Sequence, residues 1–133
     1  MKVIWTNGCF DVLHRGHIEL FKHAKSLGDY LVVGIDDDSR VKGSKGPTRP
    51  INNVEDRMEM LKSIRYIDEI VSFNTDSALE TQIATSGASI IVIGSDYRDK
   101  RVIGSNLVNE VVFFDRVGSY STTNILNIKE KLS

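Results

Sequence analysis

The chain has 133 residues, enough for one domain with a real hydrophobic core. Hydrophobic residues make up 41% and charged residues 26%, the balance of an ordinary soluble globular protein. Lys+Arg 17 against Asp+Glu 18 gives a formal net charge of −1, which argues against a nucleic-acid partner while leaving room for a local cluster of cations around a phosphate.

Val3-Ile4-Trp5 predicts a short first strand that gives way to a polar loop at Thr6-Asn7-Gly8. That run is too short for a secretory signal, and no later stretch would span a bilayer, so a cytoplasmic protein without membrane contact is expected. Ile18, Phe21, Ala24 and Leu27, with Leu20 beside them, recur at helical spacing, and Gly28 stops the helix. Tyr30 to Ile35 is a continuous apolar run, as expected of a strand covered on both faces, and Asp36-Asp37-Asp38-Ser39 breaks it. Gly43 to Pro50, rich in Gly, Pro, Lys and Ser, reads as a loop. Asn53 caps a helix that presents Val54, Met58, Leu61 and Ile64 on one face. Glu69-Ile70-Val71 is a strand, Ser77 to Ser86 a short helix, and Ser89 to Ile93 a further buried strand. Glu110 to Phe114 makes the last strand, and Ser121 caps a terminal helix with Ile125, Ile128 and Leu132 inward.

This alternation predicts an α/β fold: a Rossmann-like open parallel sheet of about five strands with helices on both faces, one domain over residues 1–133. Ligands of such sheets bind beyond the carboxyl ends of the strands, at a switch in strand order. The loops after Trp5, Ile35, Ile93 and Phe114 are therefore where chemistry is expected, and they hold nearly every unusual motif.

The first loop runs from Thr6 to His17 and contains neither a dinucleotide fingerprint nor a phosphate loop of the G-x-x-x-x-G-K type. Instead His14 and His17 flank Arg15-Gly16 at the entry to a helix. A helix start attracts anions through its unpaired N–H groups, and imidazole N–H groups aimed at the same point would serve where charge builds on phosphorus. Gly16 permits close approach of a phosphate or base. Taken alone, an i, i+3 histidine pair is more often just a helix start, and no zinc-type ligand set accompanies it. Cys9, the single cysteine, can form no internal disulfide, and a small residue beside a ligand is the simplest account of it.

The whole string T-N-G-C-F-D-x-L-H-x-G-H resembles the opening motif of the cytidylyltransferase-like nucleotidyltransferase family. Lys42, Lys45-Gly46, Arg49-Pro50-Ile51-Asn52, Glu55-x-Arg57-Met58, Gly94-Ser95-Asp96-Tyr97 and Tyr120-Ser121-Thr122-Thr123-Asn124-Ile125 extend the likeness towards that family's sugar-phosphate (heptose) adenylyltransferases, over roughly residues 4 to 128. Arg65-Tyr66-Ile67-Asp68-Glu69-Ile70-Val71 and Arg116 are instead similar to the glycerol-3-phosphate cytidylyltransferase branch. Val117-Gly118-Ser119-Tyr120 fits the pattern of neither branch.

The resemblance implies direct in-line transfer of a nucleoside monophosphate from an NTP to a phosphorylated sugar or polyol, with release of pyrophosphate. It implies catalytic roles for His14, His17, Lys45 and Arg57, with Mg²⁺ carried by the nucleotide rather than by a protein metal site. Asn7, Gly8, Cys9, Phe10, Gly16, Gly94, Asp96, Tyr97, Arg116, Tyr120, Ser121, Thr122 and Thr123 are expected around the nucleotide. Asp11, Asp36, Asp38 and Lys42 are expected towards the acceptor. ATP and heptose 1-phosphate are the favoured substrates, CTP and glycerol 3-phosphate the alternative pair, and a homodimer the implied assembly. A nucleotide-binding sensor that keeps the fold without turnover is the contrasting class.

Overall fold

Three features of the sequence build the sheet: β-branched runs, glycine stops and polar N-caps. The computed structural model describes residues 1–115; the expected terminal helix, with Arg116, Tyr120, Ser121, Thr122 and Thr123, lies outside the described residues. Strands β1 (Val3–Gly8), β2 (Tyr30–Asp36), β3 (Glu69–Phe73), β4 (Ile90–Gly94) and β5 (Glu110–Phe114) form a five-stranded sheet in the order β3-β2-β1-β4-β5. Every pairing is parallel. Helices α1 (Arg15–Ser26), α2 (Asp38–Lys45), α3 (Val54–Lys62) and α4 (Asp76–Ser86) connect the first four strands.

The sheet separates two apolar layers. Phe21 and Ala24 of α1 and Leu61 of α3 pack on Ile4, Leu31, Val33, Ile35, Ile90 and Val92. Leu79 and Ile83 of α4, with Val102, pack on Val3, Trp5, Val32, Ile91 and Ile93 of the other face. Strand alternation assigns each side chain to its layer, so β1 and β2 feed both. Val54, Met58 and Ile64 join the first layer beside Leu61, as their helical spacing requires.

Two boundaries differ from expectation. Strand β1 continues through Thr6-Asn7-Gly8, because β2 pairs with it along its full length and a central strand must satisfy its backbone there. Residues 43–45 are helical rather than loop: Asp37 caps α2 by accepting from Arg40 N–H, and the buried Val41 anchors it. The chain runs from β3 at one edge past β2 and β1 to reach β4, so strand order reverses between β1 and β4. The carboxyl ends of these two strands mark the switch point.

Candidate active site

Beyond the end of β1 the backbone makes an unusual turn. Phe10 has φ of 48°, a left-handed conformation that a bulky residue adopts only under strong local constraint. Its ring is buried and meets His17 edge-on, at 5.4 Å between centroids, and Phe21 at 5.1 Å. A Cβ at Gly8 would sit 3.1 Å from the tip of this ring, so glycine gives the wedge its space. Phe10 thus supports His17 from below.

His14 is the N-cap of α1, an unusual residue for that position. Its Nδ1 accepts from Gly16 N–H at 3.0 Å, and His17 Nδ1 accepts from His14 N–H at 3.2 Å. The two rings stack at 3.9 Å between centroids. An Nδ1 that accepts carries no proton, so this network assigns a proton to Nε2 of each ring. Burial, reinforced by the neighbouring His14, pushes the His17 pKa down to about 4. At neutral pH His17 is therefore an uncharged Nε2–H donor of fixed orientation.

An open cavity of about 780 Å³ lies over the switch point. Of the expected residues, Asn7, Gly8, Cys9, Phe10, Asp11, His14, Gly16, His17, Asp36, Lys45, Gly94, Asp96 and Tyr97 line it. Trp5 Nε1–H donates to Asn7 Oδ1 at 2.8 Å, which fixes that amide's orientation from the core. The Cys9 thiol donates to Asp36 Oδ2 at 3.4 Å, and burial followed by the Asp36 charge pushes its pKa up to about 11. It stays a thiol at neutral pH, unsuited to nucleophilic attack.

Arg57, expected to reach phosphate oxygens, does not line the cavity. It is 1% exposed and spends its donors on protein. Nε donates to Asn52 O at 3.0 Å, Nη1 to Cys9 O at 2.8 Å and Asp36 O at 2.7 Å, and Nη2 to Asp38 Oδ1 at 2.8 Å. Asp38 is accordingly turned to Arg57 and does not line the cavity. Lys42 also falls outside the cavity, exposed in the last turn of α2. Asp11 is buried and serves as a tie between loops: its carboxylate accepts from Arg49 Nε, Ile51 N–H and Asn52 N–H, each at 2.8 Å. Burial alone would raise its pKa, but the backbone donors of Asn52 and Ile51, with Arg49, hold it below the ordinary value.

The family model described as Cytidylyltransferase-like matches residues 5–127. The chain belongs to this family. It is a nucleotidyltransferase, and its five-stranded parallel sheet is the nucleotidyltransferase fold. It is 46% identical over 125 residues to "Bifunctional protein HldE" of Campylobacter fetus, and 44% identical over 131 residues to the protein of that name in Campylobacter jejuni. These alignments cover 94% and 98% of the chain but 27% and 28% of the relatives, so the chain spans little more than a quarter of their length. Among solved structures, a lipopolysaccharide core biosynthesis protein from Thermoplasma volcanium superposes with a TM-score of 0.69 at 25% identity, covering 91% of this chain and 99% of that one. Thermotoga maritima TmcAL, bound with alpha-thio ATP, shares the fold with a TM-score of 0.72 at 13% identity, over 99% of this chain and 51% of that one.

In this cytidylyltransferase-like protein the segment from Arg65 to Val71 sits away from the cavity. Asp68 Oδ2 takes Lys25 Nζ and Leu31 N–H, locking the start of β2 to α1 and β3. The segment that is similar to the glycerol-phosphate branch thus belongs to the scaffold. Among the described residues, no group of three His, Cys, Asp or Glu side chains is placed to hold a metal, and no helix is long and apolar enough to cross a membrane. Arg40, Ser44, Arg49 and Arg101 line the cavity without having been singled out as site residues. Arg40 carried one usable signal: it stands four residues after Asp36, and its Nε donates to Asp36 Oδ1 at 2.7 Å.

Proposed function

We propose that this nucleotidyltransferase moves AMP from ATP to heptose 1-phosphate, giving a nucleotide-activated sugar and pyrophosphate. The supporting observation is the pair of imidazoles held through Nδ1 at the α1 N-terminus, which line one cavity at the switch point together with Gly94, Asp96 and Tyr97. Likeness to HldE over 94% of the chain favours the sugar-phosphate acceptor.

In this reading an oxygen of the acceptor phosphate attacks the α-phosphorus, and the bond to the pyrophosphate oxygen breaks in line. No protein nucleophile is needed, in keeping with the protonated Cys9. His14 and His17 donate to phosphate oxygens on which charge accumulates, and the helix dipole adds to them. Lys45, at the end of α2, neutralises charge from the opposite wall. Gly94, Asp96 and Tyr97 surround the base and ribose, and Ser121, Thr122 and Thr123 grip the outer phosphates. Mg²⁺ arrives on the nucleotide, where it supplies charge neutralisation. The working enzyme is a cytoplasmic homodimer.

The test is pyrophosphate release from a grid of ATP and CTP against heptose 1-phosphate and glycerol 3-phosphate. ATP with the sugar phosphate is expected to give the highest kcat/KM. Preference for CTP with glycerol 3-phosphate would replace this substrate pair with the other, and no release from any combination would point to a sensor. His17→Ala should lose ~2–4 kcal/mol of transition-state stabilisation, and full activity in that variant would remove the imidazole from the mechanism.

A further inference from the structure

We infer that Arg49 is the residue that recognises the phosphate of the acceptor, and that the buried Asp11 is its positioning residue; the inference rests on the transferase reading above. Arg49 enters the cavity from the connection between α2 and α3. Its Nε donates to Asp11 Oδ2 at 2.8 Å, and that carboxylate is 0% exposed. Because Ile51 and Asn52 N–H groups bond the same carboxylate, the Arg49 side chain and the backbone that follows it are both referred to one anchor. The Asn52 side-chain amide closes the arrangement by donating to Asp11 O at 2.8 Å.

Binding through Nε leaves the terminal Nη groups for other work. The guanidinium has no further hydrogen-bond partner among the described residues, and it borders the cavity. A planar fork fixed at one edge by a buried anion presents its other donors to a second anion with little orientational entropy left to lose. Arg57 does the opposite with the same chemistry: its fork is consumed by protein acceptors.

Topology bears on which phosphate Arg49 meets. On the transferase reading the nucleotide lies between the start of α1 and the end of β4, whose residues line the β1–β4 side of the cavity. Arg49 and Lys45 come from beyond β2, on the opposite side of β1. An in-line attack needs the acceptor phosphate opposite the leaving pyrophosphate, and on that reading the acceptor enters from the side where Arg49 borders the cavity. Lys45 belongs to the last turn of α2 and has no carboxylate partner among the described residues, so the two cations have distinct characters. One is fixed; the other is a flexible point charge.

Heptose 1-phosphate is titrated calorimetrically into protein preloaded with Mg²⁺ and a non-hydrolysable α,β-methylene ATP, for wild type, Arg49→Gln and Asp11→Asn. Wild type should bind; Arg49→Gln should bind the sugar phosphate roughly 10- to 100-fold more weakly, the effect of removing a charge-assisted pair. Asp11→Asn should fall between the two. Affinity for the nucleotide analogue should stay within about twofold in all three, which also shows that the variants are folded. Equal acceptor affinity in Arg49→Gln, or an equal loss of nucleotide affinity, would overturn the assignment. Wild type that binds the acceptor but never turns over would sink the transferase reading and leave Arg49's role standing. Turnover by wild type with Arg49→Gln unchanged would sink the assignment alone, and absence of heptose 1-phosphate binding to wild type would sink the assignment together with the sugar-phosphate acceptor.

Discussion

Each imidazole of the H-R-G-H turn is committed at Nδ1 before any ligand arrives. Capping and phosphate binding thus use opposite edges of the same rings, and protonation of Nδ1 would cost the helix its cap. The pKa of His17, about 4, lies below the 6.5 of a free histidine. Between those values the unfolded chain binds the extra proton, so this contribution to stability is complete above 6.5 and is lost as pH falls towards 4. The urea midpoint should therefore be lower at about pH 5 than at about pH 7.5, and His17→Asn should narrow that difference. An unchanged difference in the variant would mean that other groups carry the acid sensitivity. Asp11 adds to the same trend at more acid pH: its carboxylate is held below the usual 3.8, so its contribution disappears only as pH falls through that depressed value.

Among the elements, the connection from β2 to α3 carries most of what distinguishes this site. Arg57 gathers Cys9 O from the first loop, Asp36 O from the end of β2, Asn52 O from the α2–α3 connection and the Asp38 carboxylate from α2. Arg57→Met leaves those carbonyls unpaired in the interior and should destabilise the protein by ~3–5 kcal/mol, read from urea unfolding. A loss below about 1 kcal/mol would show that water replaces the guanidinium without difficulty.

This region was also the hardest to read in the sequence. The strands, the helix faces and the Asn53 cap follow from apolar period and capping chemistry, and they place the switch point correctly. The end of α2 does not follow, because Gly43, Ser44 and Gly46 have poor helix propensity; the Asp37 cap and buried Val41 hold those residues helical. Arg57 looks like a surface cation one turn into a helix. Nothing local announces that its acceptors are backbone carbonyls, of which Cys9 O lies 48 positions away. The same blindness hid Arg49, whose fixing carboxylate is 38 positions distant.

For the molecule as a whole, core and cavity are mechanically continuous through the central strand. Trp5 fills the layer beneath α4, while its indole N–H holds Asn7 at the cavity rim. Its ring fits because β2 has glycine beside it: a Cβ at Gly34 would approach the Trp5 ring to 2.5 Å. Gly34→Ala should overpack this contact, costing ~1–3 kcal/mol in stability. Because the displaced ring carries the Asn7 bond, nucleotide affinity should fall as well, measured by titration with Mg²⁺-ATP. A destabilised variant with unaltered affinity would show that the core yields without moving the rim.

The Arg57 knot has a thermodynamic corollary. Two loops and the end of β2 are already crosslinked in the free protein. Their ordering entropy is part of folding, so nucleotide binding does not bear it again. The heat-capacity change on binding should accordingly match burial of the ligand's own surface, without the larger negative term that accompanies coupled folding. Where Arg57 is replaced, that term should emerge, and an affinity loss should be carried mainly by entropy.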